Sequence, residues 1–99
     1  MSTQMIERLA ANIGEAIYID VANWHLLLSD AHLHTQVAEK IYFLLEQGTL
    51  DESQVQQILE GISVKLGGGK LNLPLVDLIP AAQVSDLMDI SQNFKDKEM

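Results

Sequence analysis

Apolar residues recur along the first part of the chain at Ile6, Leu9, Ile13, Ile17, Val21, Trp24 and Leu28. Steps of three or four residues place them on one stripe of an α-helix. Ser2 or Thr3 can supply the N-cap, and Glu7 lies early enough to favour the positive helix end. Gly14 weakens the middle by about 1 kcal/mol relative to alanine. A second template starts just beyond it, because Ile17, Ile19 and Val21 alternate with Tyr18, Asp20 and Ala22 as a short strand would. The two templates overlap over residues 17–21, and the absence of proline between Glu15 and Gln47 favours the helix.

Residues 29–34 read as a polar connection, with Thr35 as the cap of a helix that runs to Gln47 and Gly48 as its left-handed terminator. That helix carries Val37, Ile41, Leu44 and Leu45 on one side and Tyr42 and Phe43 on the other. It is too apolar all round for a surface helix, so it is either the central element or part of an interface. Asp51 then marks a new helix start: Gln54 can complete a capping box, and Leu50 and Val55 stand at the staple positions. This helix carries Val55, Ile58 and Leu59 and stops at Gly61.

The period now changes from helix to strand. Ile62, Val64 and Leu66 alternate with Ser63 and Lys65, and Leu71, Leu73 and Leu75 alternate with Asn72 and Pro74. Gly67, Gly68, Gly69 and Lys70 link the two runs, which is a β-hairpin signal. Pro74 has no N–H to give a ladder, so it belongs on an edge. Pro80 at a first helical position opens a last helix, with Val84, Leu87, Met88 and Ile90 facing inward. Beyond Ser91 the chain turns polar and charged and reads as a frayed tail. The pattern predicts an α+β, mostly α fold: four helices packed with one β-hairpin, in a single domain over residues 1–90, with a tail at 91–99.

Composition narrows the class. A chain of 99 residues that is 47% apolar can build one core. Its longest uninterrupted apolar stretch covers residues 41–45, far short of the roughly 18–20 residues of a membrane span. The start Met1-Ser2-Thr3-Gln4 lacks the basic and apolar regions of a signal peptide, and there is no cysteine, which together predict a cytoplasmic protein. Fourteen acids against six bases give a net charge of −8, which disfavours nucleic acid and membrane insertion as roles.

Candidate chemistries weaken on spacing. A phosphate loop would need glycine where Val64 stands and a hydroxyl residue where Leu71 follows Lys70, with a helix rather than a strand after it. His25, His32 and His34, with Asp20 or Asp30, lack the three- or four-residue spacing that turns two imidazoles toward one metal. Asp51 has a capping role, and Asp86 and Asp89 fall on the solvent face of the last helix, so no pair of carboxyls shares a cleft. No catalytic residue, metal ligand or cofactor site is expected. Asp20, Asn23, Trp24 and His25 form the most unusual cluster, with Trp24 either buried in the core or exposed as an aromatic anchor rimmed by Asp20.

Several phrases together carry a resemblance: residues 18–26, residues 30–35, Val64-Lys65-Leu66-Gly67-Gly68-Gly69-Lys70, and Leu73-Pro74-Leu75 through Asp77-Leu78-Ile79-Pro80. The chain resembles a small family of cyanobacterial proteins known as a domain of unknown function, over roughly residues 13–90. The resemblance implies an oxygenic phototroph as host and no transferable site. It suggests a factor that helps assemble photosynthetic or carbon-fixing complexes, such as the carboxysome.

The expected function is a non-enzymatic protein-binding module, an adaptor or assembly chaperone that grips a peptide or subunit tail. Asp20, Trp24, Tyr42, Lys65, Lys70 and Leu73 are the candidate contact residues. The apolar runs and the hairpin edge motivate this, since an edge can accept a partner strand. A homodimer closing on the same apolar runs is one alternative. A histidine and aspartate site at Asp20, His25, His32 and His34 is another.

Overall fold

The computed structural model describes residues 3–21, 24–48, 50–66, 69 and 71–98, with the backbone alone for Val21, Trp24, Leu66 and Leu71. Helix α1 (Thr3–Ala16) is followed by strands β1 (Tyr18–Val21) and β2 (Trp24–Leu27), and then by helices α2 (His34–Gln47) and α3 (Glu52–Glu60). Strands β3 (Ser63–Leu66) and β4 (Leu71–Pro74), a 3₁₀ turn at Leu75–Asp77 and helix α4 (Ala81–Glu98) complete the chain. The α+β, mostly α class holds, but there are two antiparallel hairpins where one was expected.

The first hairpin replaces the helix expected through Leu28. Ile17 still donates to Ile13 O at 2.9 Å, and there the helix ends. Tyr18 N–H instead finds Gln83 Oε1 at 3.0 Å, and Asp20 N–H finds Leu78 O at 2.8 Å. Acceptors from the far end of the chain thus capture donors that a longer α1 would have used. The β-branched residues Ile17 and Ile19 are both buried while Asp20 is exposed, which is the strand period. β1 pairs with β2 in the register Ile19↔Leu26 and Asp20↔His25.

A tight turn then leads directly into α2. Leu33 N–H donates to Leu28 O at 3.0 Å and His32 N–H to Ser29 O at 3.2 Å, the bond pair of a Schellman turn. His32 holds the left-handed position with φ +60°. Because Leu33 is already seated in the core, α2 starts at His34, so Thr35 lies inside the helix and does not cap it. Gly14 of α1 lies under this turn. Ser29 Oγ–H donates to Gly14 O at 3.0 Å, and a Cβ built on Gly14 would stand 2.9 Å from Ser29 Cβ.

Other start and stop signals act as read. Gly48 ends α2 at φ +70°, and Asp51 caps α3 by accepting from Gln54 N–H at 2.8 Å. Leu75 N–H donates to Ile62 O at 2.8 Å, extending the β3–β4 ladder by one pair. Antiparallel alternation then turns the Pro74 nitrogen outward, so its missing N–H falls on the open edge. The hairpin tip at Gly67, Gly68 and Lys70 lies outside the described residues, as does the Ser2 cap; Thr3 is already helical. Pro80, expected at the first helical position, instead stands one residue before α4 and accepts from Gln83 N–H at 2.9 Å.

Helix α4 does not stop at Ser91. It continues to Glu98, because its buried stripe of Val84, Leu87 and Ser91 extends to Phe94, which is 3% exposed. The buried Ser91 hydroxyl donates to Leu87 O at 2.7 Å, so a polar residue sits in the stripe without an unmet donor. Arg8 and Glu98 pair at 3.0 Å across α1 and α4. One contiguous apolar core joins all four helices to both hairpins, and the radius of gyration is 12.9 Å. Among the described residues no helix is long and apolar enough to cross a membrane.

Candidate functional site

Helix α2 buries one face through Val37, Ala38, Ile41, Tyr42, Leu44 and Leu45 and exposes the other through Thr35, Gln36, Glu39, Lys40, Phe43, Glu46 and Gln47, so it is amphipathic and not apolar all round. At about 100° per residue Tyr42 falls at the border of the buried face and Phe43 on the exposed face with Glu39. Tyr42 is 6% exposed and Phe43 56%. Thr35, Glu39 and Phe43, four residues apart, form one ridge with Lys40 and Leu44 beside it. α1 faces this ridge with Thr3, Ile6 and Glu7, and α3 with Gln54, Gln57, Ile58 and Gly61.

Together the three helices enclose an open groove of about 870 Å³. Its floor is apolar: Ile6 and Leu44 are buried, Ile58 is half-buried, and Phe43 stands at the edge. Its rim carries two carboxylates, Glu7 and Glu39, and one ammonium, Lys40. The close acid–base contacts among the described residues are Arg8–Glu98 and Asp20–His25, so none of these three rim charges is paired. Half-burying a phenylalanine forgoes about 1 kcal/mol of transfer free energy, which a partner that covers it would recover.

Of the six residues expected at the contact surface, Asp20, Tyr42, Lys65 and Leu73 do not line this groove. Tyr42 is a core residue of α2 and does not reach the surface. Asp20 on β1 faces His25 directly across the hairpin, with Nδ1 2.6 Å from Oδ1. The Tyr18 ring meets the His25 ring edge-on, with centroids 4.8 Å apart and planes at 84°. Both partners of the pair are well exposed, at 67% for His25 and 47% for Asp20. Trp24 lies opposite Val21 in the ladder, while its side chain and all of Lys70 are outside the described residues. Lys65 is exposed on β3 opposite Asn72, and Leu73 is half-buried on β4 against the core. The structure brings Asp20 to His25 across the first hairpin.

The histidines separate as well. His32 occupies the exposed turn, and His34 opens α2 against Gly14 with a buried Nδ1 that has no hydrogen-bond partner. Among the described residues no three of His, Cys, Asp and Glu gather where a metal could sit. The groove escaped the sequence reading because Ile6, Leu44 and Ile58 have the spacing of core residues. The signal that pointed toward it was the all-round apolarity of residues 41–45.

No solved structure matches this chain. A protein of the cyanobacterium Synechocystis, named a thylakoid-associated protein, is 44% identical over 96 residues, covering 97% of this chain and 95% of its own length. The model of a family described as a protein of unknown function, DUF3181, matches residues 6–94, from the first buried isoleucine of α1 to Phe94 of α4. That span reaches into every element described above, and the chain belongs to the DUF3181 family.

Proposed function

We propose that this protein is a non-catalytic binding module, an adaptor or assembly factor that holds a segment of a larger photosynthetic complex in the groove between α1, α2 and α3. The observation that carries the reading is Phe43: a large aromatic side chain left 56% exposed beside an apolar floor, on the otherwise polar outer face of α2. An exposed aromatic continuous with such a floor makes an apolar surface that a partner can cover. Glu7 and Glu39 both stand in water, so the groove offers no sheltered carboxyl for acid–base chemistry. The name of the Synechocystis relative supports the photosynthetic side of the expectation over the carbon-fixing side. Under this reading the protein works from the cytoplasm at the membrane face, holding its partner without entering the bilayer.

The test is a photo-reactive phenylalanine analogue at position 43, introduced in cyanobacterial cells and followed by mass spectrometry of the crosslinks. The reading expects one dominant adduct with a subunit of a thylakoid complex. Adducts only with a second copy of the chain would assign the face to a homodimer, and an absence of protein adducts would overturn the reading.

A further inference from the structure

The chemistry of the groove also selects the kind of segment it takes, and this inference rests on the binding reading above. The three walls are helices, whose backbone groups are bonded internally beyond their first and last turns. They offer an incoming chain side-chain contacts and no strand edge. Walls without a strand edge suit an occupant that brings its own backbone hydrogen bonds, which is the helix-in-groove mode. From Thr35 to Leu44 the α2 wall runs about 14 Å at 1.5 Å per residue, the length of two to three helical turns.

Charge settles the rest. The rim holds two carboxylates against one ammonium, on a body of net charge −8. A second copy would bring a body of the same net charge and a rim with the same excess of carboxylate over ammonium, so its charge does not complement this one. Anionic lipid headgroups are repelled in the same way. We infer that the groove receives an amphipathic helix whose apolar stripe fills the floor beside Phe43 and whose flanks carry lysine or arginine toward Glu7 and Glu39. A partner of that kind gains apolar burial and electrostatic steering at once.

Two synthetic peptides test this with the full chain. Both carry leucine at i, i+3, i+4 and i+7; one is flanked by lysine and the other by glutamate. Fluorescence anisotropy at low salt is expected to show the lysine peptide binding about tenfold more tightly, with the gap closing at about 1 M salt, where screening acts within roughly 3 Å. Phe43→Gln, at an exposed site, is expected to weaken the lysine peptide about tenfold while leaving the thermal midpoint in place. Glu7→Lys combined with Glu39→Lys is expected to reverse the preference. Equal affinities, a preference for the glutamate peptide, or binding untouched by Phe43→Gln would overturn the inference. So would saturable binding of phosphatidylglycerol vesicles, or a dimer in sedimentation velocity that Phe43→Gln dissociates. Should the lysine peptide fail while the position-43 crosslink to a host protein persists, only the partner class falls. If both fail, the groove reading falls with it.

Discussion

Replacing Gly14 with alanine sets two magnitudes against each other. Alanine in a helix interior is worth about 1 kcal/mol over glycine, so on propensity alone the variant gains stability. The structure opposes this. The new Cβ would stand 2.9 Å from Ser29 Cβ, 3.1 Å from His34 Cβ and 3.2 Å from His34 Cγ. Comfortable carbon contacts lie at about 3.5–4.0 Å, so the turn before α2 has to move away from α1. Overpacking of this kind costs about 1–3 kcal/mol. The shift also loosens the bonds that Ser29 Oγ–H and Ser29 N–H make to Gly14 O, at 3.0 and 3.3 Å. Each such bond is worth about 0.5–1.5 kcal/mol. The net expectation is a loss of about 2 kcal/mol, or roughly 8–16 °C in thermal midpoint for a domain of this size. Far-UV circular dichroism melts and urea midpoints at fixed protein concentration measure it. Combining Gly14→Ala with Ser29→Gly is expected to cost less than the sum of the two, because the nearest obstacle is gone. A midpoint for Gly14→Ala equal to or above wild type would refute the close-approach argument.

Three further changes probe other joints. Asp51→Ala removes the acceptor of the Gln54 N–H bond and is expected to cost about 1 kcal/mol in urea unfolding. His32→Val puts a β-branched residue at φ +60° and is expected to lower stability by about 1–2 kcal/mol, whereas His32→Gly stays near wild type in the same assay. Phe94→Ala empties a core position in the last turns of α4 and is expected to cost about 3–5 kcal/mol by chemical denaturation; a frayed tail would lose nothing.

Local chemistry made much of this fold legible. The Asp51 cap, the Gly48 stop and the alternation on either side of residues 67–70 each act within a few residues. The first hairpin was ambiguous because its decision is made far away: Tyr18 and Asp20 donate to Gln83 and Leu78, some sixty residues along the chain. Nothing near residues 17–21 announces those acceptors, and intact helix spacing argued the other way. The end of α4 was hidden by Ser91, a polar residue in a core position whose hydroxyl bonds back to Leu87 O. At the site, the apolar excess of residues 41–45 pointed to an interface, but which aromatic faces out depends on where α1 and α3 pack. Tyr42 fell to the core and Phe43 to the groove.

The most direct test of the groove as a binding site is methyl NMR on the full chain, with Ile6, Leu44 and Ile58 as reporters, while the lysine-flanked amphipathic peptide is titrated in. The account predicts shifts concentrated on those three methyl groups and on the Phe43 ring, with the reporters of both hairpins unmoved. Shifts centred on Leu26 or Leu73, or none at saturating peptide, would contradict it.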